Sequence, residues 1–118
     1  MADLCAIMVV SGEPEKLYMA YITGIGMAAS GLNVYMFFTM NGLKGVTKEG
    51  QKIAIPAQKP LGFYSENLVD MGGVELAACS FGMSVMNVSK QELIENVKVS
   101  GVTEFAIKSA SAKVSLVF

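Results

Sequence analysis

The chain has no histidine and no arginine, and only two cysteines among its 118 residues. Without histidine, neither a Cys-His pair nor a Ser-His-Asp triad can be assembled. Without arginine, no guanidinium is available to stabilise a peroxide transition state. Charge is also scarce. Charged side chains make up 16% of the residues, against about 25% in an ordinary domain. The basic residues are dispersed lysines and the formal net charge is −1. No basic stripe is present to neutralise phosphates, which argues against nucleic-acid binding. No CxxC or close carboxylate cluster offers a metal site. The pair Gly24 and Gly26 falls inside a helical stretch rather than after a strand, so no dinucleotide fingerprint is supported and no cofactor is expected. Two cysteines, and an opening Met1-Ala2-Asp3-Leu4 without a basic leader region, point to a reducing cytoplasm.

Hydrophobic residues, by contrast, reach 53%. One domain over residues 1–118 is expected, long enough to bury a core without disulfides. The few charges leave apolar surface to cover, which points to a homo-oligomer; the plainer alternative is a monomer with an apolar skin. Residues 17–43 carry no charge and are numerous enough to span a bilayer. Ser30-Gly31 breaks that run as a helix stop. The pattern before it is helical and the pattern after it is that of an aromatic-rich strand. A helix, a tight turn and a buried strand are expected, with no membrane span.

Leu4–Val10 reads as a strand buried on both faces. Glu13-Pro14-Glu15 opens a helix that runs to about Ala29. Residues 32–39 form the second strand. Residues 40–60 are rich in Gly, Pro and Lys and read as a long irregular segment, of the kind used as a lid or mobile loop, with a short helical turn over 43–46. A helix over 63–71 is stopped by Gly72-Gly73, and a third strand covers 73–78. A short helix follows over 81–86, and Ser89 with Glu92 has capping-box spacing. A strand over 97–99 comes next. A helix from Thr103 through Ala110 then places Val102, Phe105, Ala106, Ser109 and Ala110 on one face, and a last strand covers 114–118. Strands alternating with helices in this way indicate an α/β fold with a parallel sheet and helices on both faces.

Cys79 lies where the third strand ends and the next helix begins. Side chains at the carboxyl ends of parallel strands face the crevice where open α/β sheets bind ligands, and the free N–H groups of a following helix favour a thiolate. The bland reading is a small buried hydrophobe. Cys5 stands at the other end of the sheet, roughly five residues of ~3.3 Å away. It is therefore out of disulfide reach and structural. Met83 and Met86 read as core filler, with a soft sulfur ligand as the alternative. Ser11-Gly12, at the first strand-to-helix turn, is either an ordinary turn or a backbone anion site.

Three segments carry a wider likeness: Ala6–Gly12, Val34–Leu43, and Ala78–Val88 followed by Lys90-Gln91-Glu92-Leu93. Together with the ending Val114–Phe118, they make the chain resemble the DsrE/DsrF/TusD-type sulfur-relay family, and within it the small DsrE-like proteins often labelled peroxiredoxin-like. The resemblance implies a three-layer α/β/α sandwich with a mainly parallel five-stranded sheet, assembled as a trimer or hexamer. It implies a sulfur carrier, with sulfane sulfur accepted on Cys79 and passed to a partner thiol. Its donors and acceptors would be proteins or small thiols. Substrate-binding positions would fall on Ser11, Gly12, Thr39, Asn41, Ser80, Phe81, Gly82 and Met83. Lys44 or Lys48 reads as an ordinary solvated loop lysine, with steering of an anionic donor as the alternative. The cysteine segment departs from the family pattern around Gly82 and Asn87, which bears on substrate and partner specificity. The alternative is a non-catalytic oligomeric binding or scaffold subunit with an inert cysteine.

Overall fold

Five strands, β1 (Leu4–Val9), β2 (Asn33–Phe38), β3 (Val74–Cys79), β4 (Val97–Ser100) and β5 (Val114–Val117), form one sheet in the order β4-β3-β2-β1-β5. Every pairing between them is parallel. These are the elements of a computed structural model that describes residues 2–118. The helices are α1 (Pro14–Ala29), α2 (Leu61–Asp70), α3 (Ser80–Met86) and α4 (Val102–Ser111). Among the described residues no helix is long and apolar enough to cross a membrane. The uncharged 17–43 run resolves into most of α1, a turn and β2, and Gly31 makes that turn at φ +93°.

The strand order dictates which helix covers which face. From β1 to β4 the chain steps across the sheet in one direction, so right-handed crossovers keep α1, α2 and α3 on one side. From β4 it returns across the whole sheet to β5, which puts α4 on the opposite side. The result is a three-layer α/β/α arrangement whose two outer layers are unequal. The side chains of Ile7, Val9, Val34, Met36, Phe38 and Leu76 meet Leu17, Tyr21, Leu61 and Leu68 in the larger core. The alternate residues Tyr35, Phe37, Ala77 and Cys79 form a second, smaller cluster, against which Phe105 of α4 packs. This division follows from the period-two alternation of strand side chains.

Two expectations change. The 40–60 segment is not a loose lid. It holds 3₁₀ turns over Met40–Val46 and Gly50–Lys52 and buries Leu43 and Val46. The Tyr21 hydroxyl donates to Gly45 O at 2.6 Å, Tyr18 donates to Lys59 O at 2.5 Å, and Gln51 Nε2 donates to Gly45 O at 2.9 Å. Buried phenols on α1 therefore stitch the segment down. The second change concerns α4. Phe105 and Ser109 are half-buried toward the sheet, whereas Val102, Ala106 and Ala110 face solvent. The apolar face read from the sequence is thus split, because the side toward the sheet is used for ion pairs.

Candidate functional site

Cys79 ends β3 and is also the N-cap of α3, with its own side chain serving as the cap: Gly82 N–H donates to Cys79 Sγ at 3.3 Å. The chain can fold back this tightly because Gly82 has no side chain. A Cβ there would stand 2.5 Å from Thr39 Oγ1 and 2.8 Å from Met40 N, so α3 rests directly on the backbone leaving β2. Met40 itself sits at φ +51°, a conformation bulky L residues seldom adopt. Sequence pattern gave no sign of that strain.

The thiol is fully enclosed, with 0% of the Cys79 surface exposed. Below it in the cluster lie Ala77, Phe37 and Tyr35, and Phe105 stacks on Phe37 and Tyr35 with centroids 5.6 and 6.3 Å apart. Cys5 is equally buried but belongs to the core on the other face of the sheet, where burial raises its thiol pKa. Both cysteines are unpaired.

The remaining candidate residues fall into two groups along the carboxyl edge of the sheet. Thr39, which is buried, lies with Gly82 beside Cys79. Ser11, Gly12 and Asn41 lie at the end of β1: a Cβ on Gly12 would come within 2.7 Å of Asn41 O and 3.2 Å of the Lys44 side chain. Here Ser11 Oγ accepts the Glu13 N–H at 3.1 Å, and Ser11 N–H donates to Phe118 O at 3.3 Å, the hydrogen bonding of an ordinary turn. Ser80 is exposed and Phe81 is 67% exposed, at the start of α3. Met83 and Met86 point away from the thiol's cluster into the larger core, as filler side chains do. Lys48 lines a groove of about 970 Å³ together with Lys52, Lys59, Phe63 and Glu95, and Cys79 is not among the groove's lining residues.

Sequence reasoning missed the polar contacts that tie α4 to the face of the sheet that carries Cys79. Tyr35 OH donates to Glu104 Oε2 at 3.0 Å, and Lys98 meets both Glu75 and Glu104, the latter at 3.1 Å. Lys108 reaches Glu75 at 3.7 Å and lies 5.1 Å from the Tyr35 ring centroid. The hydrogen bond from Lys98 holds the Glu104 carboxyl below its ordinary pKa, while donating to Glu75 and Glu104 raises that of Lys98. Desolvation and then the Glu104 contact push the Tyr35 phenol up, so it stays a donor. The readable signal was the 102–111 pattern itself, whose charged positions Glu104 and Lys108 share one side of the helix.

A sequence model of the DsrE/DsrF-like family matches residues 6–118. Among solved structures, the chain is similar to the YchN protein from E. coli, with a TM-score of 0.78 at 18% identity and full coverage of both chains. It is also similar to MTH1491, a protein of unknown function from Methanobacterium thermoautotrophicum. That match has a TM-score of 0.76 at 13% identity and covers 98% of this chain and 99% of the other. Both likenesses concern the fold. No curated protein sequence matches the chain.

Proposed function

This chain belongs to the DsrE/DsrF-like family, and from that premise we propose that it is a sulfur carrier with Cys79 as the acceptor. The observation that carries the reading is a thiol at the carboxyl end of a parallel strand, receiving a backbone N–H from the helix that follows. The Cys79 thiolate attacks the sulfane sulfur of a persulfide or of thiosulfate. A new S–S bond forms, the donor's S–S bond breaks, and its electron pair leaves with the thiolate or with sulfite. A partner thiolate then takes the terminal sulfur, and the Cys79 thiolate is regenerated. Thr39, Gly82 and Ser80 border the reacting sulfur. Ser11, Gly12 and Asn41, with Lys44, lie beside a donor's approach along the same edge.

A cytoplasmic homo-oligomer is part of the same proposal. Its support is the low charge of the chain together with exposed Phe81, Val85 and Val117. Sedimentation velocity should give a trimer or hexamer, and a monomer at all concentrations contradicts this part. The second reading, a non-catalytic oligomeric scaffold subunit, is favoured by the complete burial of Cys79. Cyanolysis separates the two readings. Protein incubated with polysulfide or thiosulfate, then desalted and treated with cyanide, should release thiocyanate. Cys79→Ser should release none while keeping its fold. Equal release from both proteins would remove Cys79 from the chemistry.

A further inference from the structure

Cys79 is sealed in the resting fold, yet its covers are unequally fastened. On one side is α3, whose Met83 is buried in the larger core and whose Gly82 is pressed against the Thr39–Met40 backbone. Moving α3 would open that core. On the other side is α4, whose Phe105 packs against the Tyr35–Phe37–Ala77–Cys79 cluster together with Leu4 and Met8. None of the described residues of α4 is fully buried. Its one large apolar contact is Phe105. The rest of its inner side is a polar latch: Glu104 to Tyr35 and Lys98, Lys108 to Glu75, and Ser109 Oγ to Ser115 Oγ at 2.8 Å. The ion pairs are one-third to one-half exposed, and ion pairs screened by water in this way contribute little to stability. The outward side carries Val102, Ala106, Ile107 and Ala110 and no charge. The helix is therefore nearly inside-out, with its charged groups against the sheet and much of its apolar surface in water, opposite to a helix that anchors a core.

We propose that α4 is a hinged cover over Cys79, opening as a unit between β4 and β5 to admit reactants to the thiol while the α1–α2 side of the sheet stays folded. This rests on the sulfur-carrier reading for its purpose, but not for its physics. Elements with few buried contacts open at free energies well below that of global unfolding. The charged side chains of the latch are already part-exposed, so opening strands no buried charge.

The two cysteines provide the measurement. Cys5, beneath α1 on the opposite face, is a clock for global unfolding. The folded protein is treated with iodoacetamide, and each cysteine is followed by peptide mass spectrometry, with each rate normalised to that residue's rate in urea. Cys79 should react about tenfold or more faster than Cys5. Phe105→Ala should widen the ratio. So should Glu104→Gln, a milder change that keeps the helix, and so should about 1 M salt, which screens the latch. Equal rates at both cysteines in the wild type and in both variants would overturn the proposal. So would acceleration of Cys79 by Met86→Ala but not by Phe105→Ala, because the opening would then lie at α3. Failure here is distinct from failure of the carrier reading. A fast Cys79 that takes sulfur from no donor keeps the cover and removes the carrier, whereas a Cys79 that loads with sulfur yet alkylates no faster than Cys5 does the reverse.

Discussion

Gly82 shows how one missing methyl group shapes the candidate site. Its backbone N–H reaches Cys79 Sγ only because α3 lies against Thr39 and Met40. Gly82→Ala forces a Cβ onto a hydroxyl and a backbone nitrogen that cannot retreat without moving β2. Overpacking of this kind costs about 1–3 kcal/mol. Urea unfolding should show that loss, and an unchanged midpoint would contradict the close approach. The position of Cys79 was legible in the sequence because strand, cysteine and helix-like run are contiguous. Its burial was not, since Phe105, which packs on its cluster, and the Thr39–Met40 backbone beneath Gly82 come from segments distant in sequence. The strain at Met40 and the use of Ser11 as an ordinary turn residue depend on neighbours in space and were equally hidden.

At the scale of elements, α4 is the instructive case. A helical pattern was legible, and so was its extent to within about two residues. The side it turns to the sheet was not legible, because one face of the pattern joins Phe105 and Ser109 to Val102, Ala106 and Ala110, while the actual inner side is specified by Glu75 and Lys98 on two different strands. The latch has a definite pH signature. Lys98 and Tyr35 hold the Glu104 pKa down, so Glu104 contributes stability that is present above its unfolded value near 4.5 and lost as pH falls through the lower folded value. The Lys98 pKa is raised above 10.5, so its contribution is present below 10.5 and lost as pH rises through the folded value. The stability difference between wild type and Glu104→Gln should therefore be flat from about pH 6 to 9 and shrink toward zero as pH falls from about 4.5 through the lower folded value. Urea titrations across that range test this, and a difference that grows on acidification contradicts it. The 40–60 segment teaches the converse lesson. Its Gly and Pro content gave its irregularity correctly, but the Tyr18 and Tyr21 phenols that immobilise it lie on α1, more than twenty residues upstream.

For the whole molecule, the alternation of strands and helices along the sequence is enough to specify a parallel α/β sheet. The order β4-β3-β2-β1-β5 was not legible, because the choice of edge for β5 depends on which face α4 crosses. That one topological step creates the asymmetry on which the account turns, with a thick core under α1 and α2 and a thin one under α4. Truncations should report the asymmetry. Met36→Ala, in the thick core, should cost about 2–5 kcal/mol. Phe81→Ala, two-thirds exposed, should stay within about 0.5 kcal/mol in the isolated chain. Comparable losses at both positions, read by urea unfolding, would contradict the assignment of the core.

The central claim is that Cys79 carries sulfur, and mass spectrometry of the loaded protein tests it most directly. Wild-type chain incubated with polysulfide and desalted should gain sulfur that reducing agent removes. Peptide mapping should place it on the segment holding Cys79, with Cys5 unmodified and Cys79→Ser unloaded. Sulfur on Cys5, or on neither cysteine after exposure to persulfide, polysulfide and thiosulfate in turn, would contradict the account and leave the scaffold reading standing.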